Sequence, residues 1–332
     1  MPKLLLNLIF CFLFSICSFA SEDNYKAFYK TVEVKNFFGK IDVPVSIYQS
    51  TGDQEIKADL IYIHGFGDQA DNHSKFFGQL AMAGYRVIAF DLPSHGRSKQ
   101  SFFNGLQFLS FERIFNMIND IEKETLEDSA RPLVYAGWST GGLILARMAQ
   151  KQKFKYRTPQ GLVLITPAVS IYKTPFSFGQ WGLVTNNTLS NNLERNASLG
   201  SPKPRSPFFY PIFAMRMLWN SFRAYYSSVD PDIGTAVFIA GDNTDRYVKS
   251  GNLVNWIRSS TSYDMIGMQF DQTKHDLENE PNGVGEKVRE LVIRFANAQV
   301  DPIADPFIID SEKEGCKVYL AEKPIQPPPT AL

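Results

Sequence analysis

Short apolar runs alternate with amphipathic stretches along most of the chain beyond residue 58. The runs are rich in Val, Ile, Leu, Phe and Ala, as in strands buried on both faces, and they cover Leu60–Ile63, Tyr85–Phe90, Leu133–Ala136, Leu162–Ile165, Ala236–Ala240 and Met265–Phe270. The stretches between them carry apolar residues at helical spacing, over Asn72–Ala83, Ser110–Asp128, Thr140–Gln152, Lys249–Ser260 and Gly283–Ala298. This alternation predicts an α/β fold whose mostly parallel sheet has helices on both faces.

Two segments ahead of this rhythm show a different pattern. Phe28–Lys35 and Ile41–Tyr48 alternate apolar and polar residues, and Gly39 stands between them. A period of two on both sides of a glycine is typical of a β-hairpin. We therefore expect an antiparallel hairpin at one edge of the sheet.

The strand–helix rhythm stops within residues 171–232, which we interpret as an inserted lid. The insertion is rich in aromatic residues, and Phe209 to Tyr226 can form a helix with a broad apolar face. These aromatics either dock the insertion onto the core or line a wall for an acyl chain. The α/β core then comprises residues 21–170 and 233–300, and residues 301–332 form an extension with a Pro-rich tail.

The N-terminus has the features of a secretory signal. Lys3 precedes an almost unbroken apolar run, and Ser18-Phe19-Ala20 places small residues where a signal peptidase cleaves. We expect residues 1–20 to be removed and the protein to be periplasmic or secreted. Cys316 would then be the one remaining cysteine, so no internal disulfide can form.

Charge and composition exclude several functions. Lys plus Arg and Asp plus Glu each number 34, giving a net charge of zero. No global field therefore attracts nucleic acid. No metal-ligand spacing or phosphate-binding glycine loop is evident, so we expect no cofactor and no metal.

The most informative motif is Gly137-Trp138-Ser139-Thr140-Gly141-Gly142, directly after an apolar run. A strand that ends in Gly-x-Ser-x-Gly can turn sharply into a helix with the serine at the apex. Gly137 and Gly141 leave room for this turn. The motif predicts that Ser139 is a nucleophile and that the Thr140 amide contributes to an oxyanion hole.

The base and the acid should follow the nucleophile along the chain. His275 is the one histidine after Ser139, and it follows a predicted strand. The acid lies in the loop after Ala236–Ala240, where both Asp242 and Asp245 could orient an imidazole. We favour Asp245, because Asp242 directly follows a glycine, where Asp commonly forms a turn.

A second oxyanion donor is predicted at Phe66. The apolar run Leu60–Ile63 leads into His64-Gly65-Phe66-Gly67, and such a turn can aim the Phe66 amide at the same point as Thr140. We expect His64 to support this loop, and the polar turn around Asp91 and His95 to brace the floor of the site.

These motifs together resemble the α/β-hydrolase superfamily. The resemblance covers about residues 28–299 and is strongest to the lysophospholipase and monoacylglycerol lipase branch, also called serine aminopeptidase-like. The spaced motifs that carry it are His64-Gly65-x-Gly67, Asp91-x3-His95-Gly96-x-Ser98, Gly137-x-Ser139-x-Gly141-Gly142, Gly241-x3-Asp245-x2-Val248 and His275-x4-Glu280. Trp138 stands where the family usually has histidine, and Thr140 where methionine is commoner.

The resemblance implies a triad of Ser139, Asp245 and His275 with an oxyanion hole at Phe66 and Thr140. It also implies a serine ester hydrolase acting on lipid-derived monoesters, such as lysophospholipids or monoacylglycerols, which the signal features predict to be exported. An aminopeptidase-like peptidase and an acyltransferase stay open as alternatives, whereas retention of every catalytic group argues against a non-enzymatic binding protein. The expected partner is a small lipid or ester, with transient contact between the lid and a membrane surface, and the sequence does not indicate an oligomeric state.

Overall fold

The computed structural model describes residues 24–36, 39–51, 55–98, 105–106, 109–126, 129–171, 189–192, 211–262 and 264–322. The predicted signal peptide over residues 1–20, the Pro-rich tail from residue 323, and most of the insertion at 171–232 lie outside the described residues.

The described strands form one sheet in the order β1-β2-β4-β3-β5-β6-β7-β8-β9. They are β1 (Tyr25–Asn36), β2 (Gly39–Ser50), β3 (Ala58–Ile63), β4 (Tyr85–Phe90), β5 (Leu133–Trp138), β6 (Gly161–Ile165), β7 (Gly234–Ile239), β8 (Met265–Gln269) and β9 (Lys317–Leu320). Strands β3 to β8 pair in parallel, and the antiparallel pairs are β1 with β2, β2 with β4, and β8 with β9. The predicted edge hairpin is confirmed.

Helices cover both faces of this sheet, as predicted. They are α1 (Ser74–Met82), α2 (Phe111–Leu126), α3 (Thr140–Gln150), α4 (Pro211–Tyr225), α5 (Ser250–Arg258), α6 (Val284–Val300) and α7 (Ser311–Glu314), with 3₁₀ turns at Ala70–His73 and Leu277–Asn279. None of these described helices has the length and apolar character needed to cross a bilayer.

Neighbouring residues of each central strand enter different hydrophobic clusters. Ile61 and Ile63 pack with residues of α2, α3 and α5, whereas Leu60 and Tyr62 pack with residues of α1 and α6. Because successive strand residues point to opposite faces, a strand between two helical layers is apolar throughout. This explains the unbroken apolar runs in the sequence.

One strand of the structure was not predicted, and one predicted helix is present. We predicted no strand after Met265–Phe270, but β9 adds an antiparallel strand beside β8, from Ile266↔Leu320 to Gln269↔Lys317. Four residues are too few to display a period. Within the insertion, α4 lies where a helix was predicted from Phe209 to Tyr226.

Candidate active site

The site lies at the carboxyl ends of the parallel strands, where β5 turns into α3. Ser139 occupies the turn with φ 53° and ψ −113°, a conformation that L residues rarely adopt. Its amide donates to the Ile165 carbonyl at 2.9 Å, which fixes the turn on β6. A Cβ at Gly137 would lie 2.7 Å from the Gly141 carbonyl carbon, and one at Gly141 would overlap the Ile63 carbonyl. The two glycines thus allow the tight approach on which the motif prediction rested.

A chain of hydrogen bonds joins Ser139, His275 and Asp245. His275 Nε2 lies 2.8 Å from Ser139 Oγ, and His275 Nδ1 lies 2.8 Å from Asp245 Oδ2. His275 and Asp245 are buried, whereas Ser139 is partly accessible from the pocket. This arrangement can orient an imidazole and remove a proton from a hydroxyl.

The structure separates the two candidate acids. Asp245 Oδ1 accepts hydrogen bonds from the amides of Tyr247 at 2.7 Å and Val248 at 3.1 Å, leaving Oδ2 for His275. Asp242 is exposed to solvent. These two hydrogen bonds close a turn between Asp245 and Val248 that directs the carboxylate toward His275.

Both the main-chain carbonyl and the ring of His275 contact neighbouring residues. Its carbonyl accepts from Thr166 Oγ1 at 2.7 Å and from Trp138 Nε1 at 3.0 Å, and its ring packs against Trp138 and Tyr247. Sequence reasoning missed Thr166 and the tie made by Trp138. The indole at the position before the serine was the available signal, since a buried indole N–H usually finds an acceptor.

Two other histidines support the loops, as predicted. His64 Nε2 accepts from the Leu92 amide and His95 Nε2 accepts from the Gly67 amide, both at 2.9 Å. A ring nitrogen that accepts from an amide carries no proton. Burial lowers the pKa of both rings, that of His95 to about 4, which favours this neutral form.

The loop after β4 braces the same floor. Asp91 accepts from the amides of Ala70 and Arg97, each at 2.8 Å. A Cβ at Gly96 would lie 2.5 Å from the Asp91 carboxyl carbon. The expected structural role of this turn is confirmed.

A largely apolar pocket opens beside Ser139. Its described lining residues are Phe66, Trp138, Ser139, Thr140, Ala168, Ile171, Leu189, Met217, Arg246, Tyr247, Val248 and His275. Phe66 and Thr140, the predicted oxyanion donors, both border it. Helix α4 closes one side, because Met217 lines the pocket and accepts from Thr140 Oγ1 at 3.3 Å.

Comparison with known proteins relates part of the chain to a known family. The family model described as serine aminopeptidase, S33, matches residues 54–207, which include the turn after β3 and the serine turn. The described residues have the α/β-hydrolase fold. The fold and the family match together indicate a serine ester hydrolase. None of the curated proteins compared with the hydrolase matches it in sequence.

Solved structures share the fold at low identity. A monoacylglycerol lipase of Paleococcus ferrophilus has a TM-score of 0.62 at 18% identity, covering 82% of this chain and 99% of that one. A soluble variant of the Saccharomyces cerevisiae monoglyceride lipase, in complex with a substrate analog, has a TM-score of 0.66 at 16% identity, covering 81% and 96%. A carboxyl esterase of Bacillus coagulans, in complex with glycerol, has a TM-score of 0.63 at 15% identity, covering 82% and 99%.

Proposed function

We propose that the protein is an exported serine hydrolase that cleaves lipid-derived monoesters, either lysophospholipids or monoacylglycerols. The observation that carries the proposal is the hydrogen-bonded series Asp245–His275–Ser139 beside an apolar pocket. Both lipid classes pair one acyl chain with a polar alcohol. Burying each methylene contributes about 0.8 kcal/mol, so an apolar wall favours a long acyl chain over a short one.

The geometry supports a reaction through an acyl-enzyme. Ser139 Oγ attacks the ester carbonyl carbon while His275 Nε2 takes the hydroxyl proton, and Asp245 stabilises the resulting imidazolium. The amides of Phe66 and Thr140 donate to the oxyanion. His275 returns the proton to the departing alcohol, and water activated by the same ring then hydrolyses the acyl-enzyme to release the fatty acid.

Replacing the nucleophile tests the proposal. Ser139→Ala should lower hydrolysis of a p-nitrophenyl acyl ester by about 10⁴-fold or more and abolish labelling by a fluorophosphonate. Ser259→Ala is the matched control, because Ser259 is exposed at the end of α5. Undiminished turnover by Ser139→Ala would refute the assignment.

The pocket lining favours an ester over a peptide substrate. An aminopeptidase must bind a protonated amine, and carboxylates do this best. The described lining residues beyond the triad include no carboxylate, and Arg246 would repel the amine. Parallel assays with aminoacyl anilides and acyl esters separate the two activities. A product assay with added glycerol separates hydrolysis from acyl transfer.

Arg246 also bears on the choice between the two lipids. Its side chain lines the pocket and is exposed, and within the described residues it forms no hydrogen bond or ion pair. A guanidinium suits a phosphate group. Arg246→Gln should therefore raise the KM for a lysophospholipid and leave that for monoolein unchanged. An equal effect on both lipids would assign Arg246 no role in head-group selection.

Helix α4 supports the expected contact with a lipid surface. Ile212, Met215, Trp219, Phe222 and Tyr226 are exposed along one stripe, with Trp219 61% and Tyr226 71% accessible. Their spacing of three and four residues keeps them on one face of the helix. Large aromatic residues on such a face are typical of helices that lie in a membrane interface.

Vesicle sedimentation tests this contact. Trp219→Ser/Phe222→Ser should weaken binding to phosphatidylglycerol–phosphatidylcholine vesicles, since the stripe loses its largest apolar side chains. Ile303→Ser is the matched control, because Ile303 is 93% exposed and lies outside α4. Equal binding by both variants would assign the stripe another role.

Export is tested independently of catalysis. The full chain should mature to a protein that begins at Ser21, as N-terminal sequencing of the extracytoplasmic fraction would show. Removal of residues 2–20 should leave the protein in the cytoplasm with its esterase activity intact. Recovery of an uncleaved N-terminus outside the cytoplasm would contradict cleavage after Ala20.

A further inference from the structure

The catalytic scheme leaves one buried histidine without a role. His73 ends the 3₁₀ turn Ala70–His73 and is 1% exposed. Its Nε2 lies 2.6 Å from Asp68 Oδ2, and its Nδ1 contacts Glu278 Oε1. Tyr62 Oη lies 3.1 Å from His73 Nδ1 and donates to Glu278 Oε2 at 3.3 Å. We call Asp68, His73 and Glu278 the charged clamp.

Both ring nitrogens of His73 face a carboxylate oxygen, so both donate only when the ring is an imidazolium. Burial lowers the pKa of His73, but the charges of Glu278 and Asp68 outweigh burial and raise it to about 9. The cation also compensates part of the charge of two carboxylates that are themselves buried. The clamp is therefore charged near neutral pH.

The two carboxylates belong to loops that hold different parts of the active site. Asp68 follows Phe66 by two residues, and its amide donates to the Gly65 carbonyl at 3.3 Å. Glu278 follows His275 by three residues, within the 3₁₀ turn Leu277–Asn279. His73 thus joins the loop of the predicted oxyanion donor to the loop of the base.

Trp138 fills the space between the clamp and the base. Its ring centroid lies 5.6 Å from that of His73 and 5.4 Å from that of His275. A Cβ at Gly65 would lie 2.8 Å from the indole, so the loop before Phe66 packs directly on it. A shift of either loop would therefore move this indole and the His275 carbonyl that it binds.

We propose that the charged clamp holds the Phe66 amide in register with His275, so that His73 is a positioning residue for the reaction at Ser139. Misplacing a catalytic group by about 1 Å can cost 10²-fold in rate. Loss of the clamp should therefore lower kcat more than it raises KM. The inference rests on the proposed hydrolase activity.

The pH response of the clamp depends on every charged or titratable group around it. The described groups that face it are Tyr62, His64, Asp68 and Glu278, with Arg289 bound to the Glu278 carbonyl and His275 beyond Trp138. Above a pH of about 9, His73 loses its charge and the two carboxylates face each other uncompensated. We therefore expect kcat to fall there.

The test removes the charges and keeps the shape. Asp68→Asn/His73→Gln/Glu278→Gln removes the charge of the imidazolium together with those of both carboxylates that it faces, and replaces each group by one of similar size. Turnover of p-nitrophenyl butyrate is divided by the number of sites that a fluorophosphonate labels at completion, which removes the contribution of misfolded protein. The matched control is Asp59→Asn, a buried ion-paired carboxylate at the opposite end of the sheet.

We expect kcat per labelled site to fall about tenfold or more in the triple variant, with KM within about threefold of wild type. The alkaline fall in kcat should be present in the wild type and the control and absent in the triple variant. A value within about threefold of wild type per labelled site overturns the proposal.

Two measurements decide the matter if the triple variant does not fold. Asp68→Asn alone should lower kcat per labelled site, because it weakens the tie to the Phe66 loop. In the wild type, a kcat that stays constant beyond a pH of about 9, with unchanged near-ultraviolet circular dichroism, overturns the inference. Absence of turnover in the wild type would instead refute the proposed function. Failure of the clamp proposal and failure of the proposed function are thus distinguishable.

Discussion

The two ends of the parallel sheet both bury carboxylates, but they neutralise them differently. At the amino ends of the strands, Asp59 is fully buried and meets Arg86 at 2.8 Å, Arg131 at 3.5 Å and Arg157 at 3.8 Å. At the carboxyl ends, Asp245 and the clamp carboxylates meet histidines, and of the buried carboxylates named above at this end only Asp91 forms a described ion pair with an arginine, at 3.5 Å from Arg97.

Guanidinium groups do not titrate below extreme pH, whereas imidazoles gain and lose protons near neutrality. The arginine end therefore provides constant charge, and the histidine end provides groups that can move protons. A carboxylate paired with an imidazole can therefore assist proton transfer, whereas Asp59, which is paired with guanidinium groups, cannot. The predictions below test the comparison.

The largest effect should come from Asp245→Asn. Its Oδ1 can still accept from the amides of Tyr247 and Val248, so an amide would face His275 Nδ1 and stabilise the wrong tautomer. Turnover of a p-nitrophenyl ester should fall by about 10⁴-fold. Asp242→Asn is the matched control, and it should retain wild-type turnover because Asp242 is exposed. The reverse result would make Asp242 the acid.

Asp59→Asn tests the arginine end. Removing one partner of a buried ion pair typically costs about 3–5 kcal/mol, and we expect the low end because the arginines are partly exposed. Urea unfolding measures this loss. Activity per labelled site should stay unchanged, since Asp59 lies at the amino ends of the strands and Ser139 at their carboxyl ends. A loss of activity greater than the loss of folded protein would contradict the proposed separation of the two ends.

The sequence predicted the features that depend on local patterns. The sheet, the helices and the serine turn depend on local patterns, and the fold prediction is confirmed. The meeting of Ser139 with His275 could be anticipated because parallel strands bring their carboxyl ends together. Turn chemistry favoured Asp245 over Asp242, but the burial that brings the Asp245 carboxylate to the ring is visible only in the structure.

The charged clamp could not be predicted in the same way. His73 and Glu278 are 205 residues apart, and Glu278 lies within an acidic stretch that looks solvated in sequence. No local sequence pattern identifies a carboxylate that becomes buried by pairing with a histidine far away in the chain. The tie from Trp138 to the His275 carbonyl is equally long-range. Local patterns therefore located the reacting groups and missed the groups that hold them.

A smaller effect should appear in the pH dependence of stability. The pKa of His73 is about 9 in the folded protein against an ordinary value of 6.5. Its stabilising contribution is therefore complete below pH 6.5, decreases as the pH rises, and is lost beyond a pH of about 9. Wild type should lose up to about 3 kcal/mol of unfolding free energy across this range. A similar loss in Asp68→Asn/His73→Gln/Glu278→Gln would assign it to other groups.

The smallest effect should come from Arg131→Gln. Arg131 is the most exposed of the three arginines around Asp59, at 34% of its side chain, and its Nη2 lies 3.5 Å from the carboxylate. Because Arg86 and Arg157 remain, Asp59 keeps compensating charge, and we expect a loss of about 1 kcal/mol or less in urea unfolding. The matched variant is Arg86→Gln, which removes the 2.8 Å contact and should cost more. The loss should also be the same at neutral and alkaline pH, because the remaining guanidinium groups do not titrate there. A loss in Arg131→Gln that grows with pH would mean that the arginine end also depends on a titrating group, and the contrast between the two ends would fail.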